Sequence, residues 1–195
     1  MNNIFLTGEK GIGKSTIINR FAKTLDFLPT GFQTLMIRAD NDETGNCGLD
    51  TVIIRPFKAD LPYEKNTVID IDEIGIVATR ENQNYMMDVN KEAFDVTGVK
   101  LLCASLRAGQ TRLIIMDELG FMEKDANIFQ AEVFKCLDCE IPVLGVLRKL
   151  STPFLDTIIE REDVLVLEVT DKNRDQLFSD IAITRKYAQL AQCWK

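Results

Sequence analysis

The residues Gly8-Glu9-Lys10-Gly11-Ile12-Gly13-Lys14-Ser15 fit the phosphate-binding pattern G-x-x-x-x-G-K-S at every fixed position. The glycines allow backbone conformations closed to other residues. Successive amide N–H groups can then turn inward onto a β-phosphate, and the N-terminus of the following helix adds its positive end. Lys14 would bridge the β- and γ-phosphates as a point charge, the Ser15 hydroxyl would take one position on Mg²⁺, and Thr16 is placed to reach the α-phosphate. The ligand this spacing calls for is a nucleoside triphosphate. At ordinary glycine usage such a match arises by chance in about one chain in a hundred of this length.

A phosphate cradle holds its ligand; hydrolysis also needs a second metal contact and a positioned water. Leu113-Ile114-Ile115-Met116-Asp117-Glu118 supplies an apolar strand ending in two carboxylates. Asp117 would hold Mg²⁺, directly or through water. Glu118 would orient the attacking water or accept its proton. A competing run, Val68-Ile69-Asp70-Ile71-Asp72-Glu73-Ile74-Gly75, also ends in Asp-Glu. There, however, the acids alternate with isoleucines, the pattern of a half-exposed strand rather than one buried on both faces. Asp117 and Glu118 are therefore the expected pair.

Further candidates follow later strands. Arg148 and Lys149 come directly after the apolar run 142–147, and Arg148 is a candidate to stabilise charge on the γ-phosphate. Asn173 and Arg174 follow the last strand, and are candidate contacts to the nucleotide base. Arg161 reads as surface charge. Five cysteines, at 47, 103, 136, 139 and 193, include one Cys-x-x-Cys pair, Cys136 and Cys139. With no second pair and no histidine to complete a metal site, this pair reads as packing at the end of a helix.

The elements that must position these residues are legible from periodicity. Residues 3–7 read as a buried strand, and 14–27 as a helix with Ile17, Ile18, Phe21 and Leu25 on one face. From 31 to 96 short apolar or alternating stretches (33–38, 51–55, 67–71, 74–78) are separated by turn clusters, as in hairpins. Residues 99–108 read as a helix. Strands at 113–116, 142–147 and 164–169 then alternate with helices at 127–138, 153–160 and 173–191. Continuously apolar strands between helices indicate a mostly parallel sheet covered by helices on both faces. The expectation is one α/β P-loop domain over 1–195, with the β-rich segment of about 31–96 as an insertion or antiparallel edge.

With 23 basic and 30 acidic residues, the net charge is −7. That disfavours non-specific nucleic-acid binding, which needs a basic face. No apolar run approaches the roughly 20 residues of a membrane helix, and the first residues lack the basic start and apolar stretch of a signal peptide. The expected setting is cytoplasmic and away from membranes. The sequence names no protein partner.

Several longer stretches together resemble a known family: the P-loop, Gly31-Phe32, Met116-Asp117-Glu118-Leu119-Gly120-Phe121-Met122-Glu123, Pro142-Val143-Leu144-Gly145-Val146-Leu147, Ser151-x-Pro153-Phe154-Leu155-Asp156 and Glu168-Val169-Thr170-x-x-Asn173-Arg174-Asp175. The family is the nucleoside triphosphatases first grouped from thermophiles, which includes cancer-related nucleoside triphosphatase. The resemblance covers most of the chain and is strongest over 4–20 and 113–178. It implies a P-loop α/β fold with an extra catalytic glutamate, and Mg²⁺-dependent hydrolysis of several nucleoside triphosphates to diphosphate and phosphate with loose base selectivity. It places the phosphate site at 8–15 and the metal and water-activating residues within 113–120. The loop residues Glu9-Lys10-Gly11-Ile12 depart from the proline-glycine-valine type usual in that family.

Other functions use the same cradle: a kinase, and a nucleotide-dependent switch or binding protein with negligible turnover. A nucleotide or small-molecule kinase would transfer the phosphate to an acceptor other than water, but the basic residues after Asp117 are dispersed rather than gathered in an arginine-rich lid. A GTP switch needs Asn/Thr-Lys-x-Asp, whereas Asn90-Lys91-Glu92-Ala93 and Thr170-Asp171-Lys172-Asn173 both depart from it.

Overall fold

Along the first strand, β1 (Asn3–Thr7), side chains alternate between two cores: Phe5 enters one, Ile4 and Leu6 the other. A strand buried on both faces needs helices on both sides, and the rest of the chain supplies them. The computed structural model describes residues 3–38, 49–59, 74–81 and 87–179. After β1 come α1 (Lys14–Ala22), β2 (Thr30–Ile37), β3 (Leu49–Pro56), β4 (Gly75–Glu81) and β5 (Asp88–Val89). A helical run follows: α2 (Lys91–Ala93), a π-helical turn (Phe94–Gly98) and α3 (Val99–Arg107). The chain continues through β6 (Ile114–Leu119), α4 (Asn127–Asp138), β7 (Val143–Leu147), α5 (Pro153–Ile159), β8 (Val164–Glu168) and α6 (Arg174–Ser179).

The strands form one sheet in the order β5-β4-β3-β2-β6-β7-β1-β8. From β2 to β8 all neighbours are parallel, and from β2 outward through β3, β4 and β5 they are antiparallel. The β-rich middle is thus the antiparallel edge of a mixed sheet, hinged on β2, whose first half pairs with β6 (Thr30↔Ile114 to Gln33↔Asp117). Gly31 makes that pairing possible. At φ 112° it lies in the left-handed region, and a Cβ there would collide with the Ile115 carbonyl.

One face of the sheet packs Phe32, Ile54, Ile114 and Met116 against Leu102, Phe129, Val133, Leu155 and Ile158 of α3, α4 and α5. The other packs Leu113, Ile115, Leu144 and Val146 against Ile17, Ile18 and Phe21 of α1, with Leu177 of α6 alongside. Each fully buried side chain of this size contributes about 1.5–3 kcal/mol. Among the described residues no helix is long and apolar enough to cross a membrane.

The structure corrects several boundaries. Helix α1 ends at Ala22, not near residue 27, because both the amide and the hydroxyl of Thr24 bond back to the Phe21 carbonyl and close the last turn. Residues 91–98 are helical rather than part of the β-rich segment. Phe94 is buried beside Phe129, ring centroids 5.3 Å apart, and Asp95 caps α4 by accepting from the Ile128 and Phe129 amides (3.0 and 2.9 Å). The last helix is described from Arg174 to Ser179, and the remainder of the expected run to 191 lies outside the described residues. So do the expected strand 67–71 and the carboxylates Asp70, Asp72 and Glu73 of the competing run.

Cys136 is buried on the inner side of α4, and half-buried Cys139 donates to the Cys136 carbonyl at 3.0 Å, which is packing at a helix end. Among the described residues no group of three cysteines and acids is placed to hold a metal ion. Arg161 is not free surface charge. It bonds Asp163 (2.8 Å) and Asp138 (2.8 Å) where α4 and β8 meet.

Candidate functional site

Parallel strands bring their carboxyl ends to one edge, and that edge gathers the chemistry. The P-loop leaves β1, Asp117 and Glu118 lie in the second half of β6, and Arg148 and Lys149 follow β7. Gly8, at φ 135°, lies so close to β8's end that a Cβ would strike the Val169 carbonyl. Gly13 is the N-cap of α1 and brings no side-chain acceptor, and the first turn of α1 carries no acid. The first amides of the helix are therefore left for an anion rather than claimed by a capping oxygen.

Lys14 is buried, and its ammonium donates to the Gly8 and Glu9 carbonyls at 2.7 and 2.9 Å. Burial pushes its pKa below the ordinary lysine value, with the Glu118 carboxylate the chief opposing influence. Ser15 donates its hydroxyl proton to Asp117 Oδ1 at 2.9 Å. Asp117 is buried, which pushes its carboxyl up to about 7; the Ser15 hydrogen bond pulls it down and the Glu118 charge adds to the rise. Two hard oxygen donors side by side, one a buried carboxylate that forms no ion pair among the described residues, fit an Mg²⁺ ion.

Glu118 and Arg148 form an ion pair, Oε1 to Nε 3.0 Å, with both side chains about a quarter exposed. The Glu118 amide donates to Thr34 Oγ1 at 3.3 Å. Arg148 is held from behind: its amide donates to the Leu119 carbonyl (2.9 Å), and its guanidinium stands 5.1 Å from the centre of the Phe121 ring. Lys149 turns outward, to Glu168 at 2.8 Å and Glu9 at 3.4 Å.

These groups line one cavity of about 620 Å³: Gly8, Glu9, Lys10, Gly11, Gly13, Lys14, Ser15 and Thr16 on one wall, Asp117, Glu118, Arg148 and Lys149 on the next. The cavity continues past Glu118 to Thr34, Met36, Arg38, Val52 and Met87 of the antiparallel edge. On the other side of the P-loop a hollow of about 300 Å³ is lined by Ile12, Thr16, Arg20 and Arg174, among others. Asn173 lines neither. Its amide accepts from the Thr170 amide (2.7 Å) and donates to the Glu168 carbonyl (2.9 Å), so it folds the turn that presents Arg174.

Sequence reasoning missed three features. Thr34 reaches Glu118 only because β2 pairs with β6. Gln33 and Arg55 are both buried, with the Gln33 amide oxygen facing the guanidinium across β2 and β3. Glu123 is also buried, and nothing in the periodicity around it says so.

A glycine-rich cradle between β1 and α1, facing an acidic strand end on a mostly parallel sheet, defines a P-loop nucleotide-binding protein. A family model described as NTPase matches residues 3–182, and the chain belongs to this NTPase family. It is 31% identical over 189 residues to the nucleoside-triphosphatase THEP1 of Thermotoga petrophila, covering 94% of this chain and 93% of that protein. Its identity to the THEP1 of Thermotoga maritima is 32% over 190 residues, covering 94% and 95%. With the cancer-related nucleoside-triphosphatase homolog of Bos taurus it is 28%, covering 92% and 94%. The crystal structure of THEP1 from Aquifex aeolicus matches in fold with a TM-score of 0.65 at 22% identity, covering 92% of this chain and 96% of that one.

Proposed function

We propose that this protein hydrolyses nucleoside triphosphates to diphosphate and phosphate, with Mg²⁺ and with little preference among bases. The observation that carries this reading is the Glu118–Arg148 pair, which stands beside Asp117 in the same cavity as Lys14. The P-loop amides and Lys14 bind the β- and γ-phosphates. Glu118 orients a water and takes its proton as the water oxygen bonds to the γ-phosphorus. The bond from that phosphorus to the bridging oxygen breaks, and the diphosphate leaves. Arg148, already beside Glu118, offers its guanidinium to the charge on the transferring group. Mg²⁺ held by Ser15 and Asp117 would neutralise charge on the β- and γ-oxygens. Loose base selectivity is supported by the hollow beside Thr16, lined among others by Ile12, Arg20, Arg174 and Asp175, because aliphatic and planar guanidinium surfaces can stack on any base.

Phosphate release from ATP, GTP, CTP and UTP by the purified protein, with Mg²⁺ and with EDTA, tests all three elements. The expected result is turnover of each nucleotide that EDTA abolishes. Glu118→Gln should bind Mg·ATP while losing about 10²–10⁴-fold in kcat; a variant with full turnover would take Glu118 out of the mechanism.

One observation favours a second reading, phosphoryl transfer to an organic acceptor. The cavity does not end at the phosphate site but continues past Glu118 to Met36, Val52 and Met87, whose side chains suit an apolar body. Phosphate release measured with and without a panel of nucleoside monophosphates separates the two. Faster transfer to an acceptor than to water would replace the first reading by the second.

A further inference from the structure

The turn after β6, Leu119-Gly120-Phe121-Met122-Glu123, folds back on itself. Glu123 Oε2 accepts from the Gly120 amide at 2.8 Å, while Glu123 Oε1 is buried and has no hydrogen-bond partner among the described residues. Gln130 Nε2 donates to the Glu123 carbonyl at 2.7 Å, tying the end of the turn to α4. A carboxyl buried with half of its hydrogen-bonding capacity unmet is costly. A neutral side chain would fill the same space at less cost, so the position calls for an explanation beyond packing.

What the turn carries is Arg148. The Leu119 carbonyl accepts from the Arg148 amide, and the Phe121 ring lies beneath the guanidinium. Gly120 lies against the arginine stem so closely that a Cβ there would come within 2.9 Å of Arg148 Cδ. Gly120 is also the residue whose amide Glu123 holds.

We propose that Glu123 is a positioning residue for the reaction: by holding Gly120 from inside the turn, it fixes the platform from which Arg148 reaches Glu118 and the γ-phosphate. The proposal rests on the reading of Arg148 as the cation at that phosphate. A displacement of about 1 Å at such a platform is enough to cost about a hundredfold in rate.

The test is a double-mutant cycle on kcat and KM for Mg·ATP hydrolysis. Glu123→Ala is expected to lower kcat about 10- to 100-fold with KM changed by less than about twofold. Glu123→Gln keeps an oxygen for the Gly120 amide and should return kcat to within about threefold of the parent. In the Arg148→Ala background, Glu123→Ala should have no further effect, because residues that act through one another are not additive. Gly120→Ala, which leaves Glu123 intact and pushes on the arginine stem, should repeat the pattern and serves if Glu123→Ala does not fold. Full kcat in Glu123→Ala, or an undiminished loss in the Arg148→Ala background, overturns the proposal. Should Arg148→Ala itself retain full turnover, the reading of Arg148 falls; if only Arg148→Ala is impaired, that reading stands and the role of Glu123 falls.

Discussion

At the amino edge of the parallel strands, Asn3 is fully buried and satisfied on every side. It donates to the Leu137 carbonyl (3.1 Å) and Asp163 (3.0 Å) and accepts from the Val143 amide (3.2 Å). Asp163 in turn takes two hydrogen bonds from Arg161, which holds its carboxyl below the ordinary value. At the opposite edge of the same sheet, Asp117 and Glu123 are pushed up to about 7 by burial, and Lys14 is pushed down. One edge uses polar groups to join strands. The other keeps charge buried beyond what its protein partners satisfy. Its deficit matches an anion with a cation, which is the physical signature of a ligand site.

The largest effect should come from Lys14→Ala. Loss of the cation between the β- and γ-phosphates should lower turnover by roughly 10²–10³-fold or more. Yet burial disfavours the Lys14 charge in the folded state and offsets its two bonds to carbonyls, so its removal should leave the urea midpoint nearly unchanged. A midpoint that fell as far as turnover would mean that Lys14 belongs with the structural edge, and the contrast would break there.

Asn3→Ala is the mirror case. It removes the three side-chain bonds to the Leu137 carbonyl, the Val143 amide and Asp163 Oδ2, the last of which keeps its bond from Arg161, at an expected cost of about 2–3 kcal/mol in unfolding free energy. Turnover per folded molecule should stay within about twofold, since nothing at the amino edge touches the cavity. Denaturation curves with active-site titration would separate the two quantities, and a specific loss of kcat would show the edges to be coupled.

How far this contrast was legible in the sequence depends on how local its causes are. The P-loop and its flanking strand and helix are contiguous, so spacing alone revealed them. Asp117 and Glu118 stood out because an apolar run ends at them, and Arg148 because it follows the next apolar run. Partnerships across the fold were not legible. The cap on α4 comes from Asp95, 34 residues before the Phe129 amide it accepts, and without it residues 91–98 looked like one more turn in a hairpin region. The role of Asn3 is equally non-local, since one asparagine before an apolar run does not announce three partners. The burial of Glu123 is set by α4 folding over the turn, and acids five positions apart, at 118 and 123, read alike until the turn is seen. Thr34, Gln33 and Arg55 needed the strand order.

A smaller effect is expected from Asp117→Asn. The amide oxygen can still accept from Ser15, while the buried charge is gone. In EDTA the variant should be more stable than the parent by about 1–2 kcal/mol, although its turnover collapses. Mg·ATP should reverse the order, because only the parent gains the full stabilisation of binding. A variant less stable than the parent in EDTA would mean that Asp117 is a satisfied structural group like Asp163.

The finest discrimination is by pH, at Glu123. Its carboxyl rises from 4.5 to about 7 on folding, chiefly through burial, while the Gly120 hydrogen bond opposes the rise. The folded state therefore holds the proton more tightly than the unfolded chain. The stability linked to this proton is fully present below pH 4.5 and is lost progressively as pH rises to about 7. One proton limits the slope to about 1.4 kcal/mol per pH unit. Glu123→Gln mimics the neutral acid at every pH and has no such slope. Subtracting the two unfolding free energies at each pH cancels every other titrating group, so the variant's advantage should grow between pH 4.5 and 7 and then level off. Asp163 predicts the opposite sign, because its lowered carboxyl favours the folded state once it is charged. A difference curve for Glu123→Gln that is flat, or that falls with pH, would place Glu123 among the satisfied groups of the amino-edge kind.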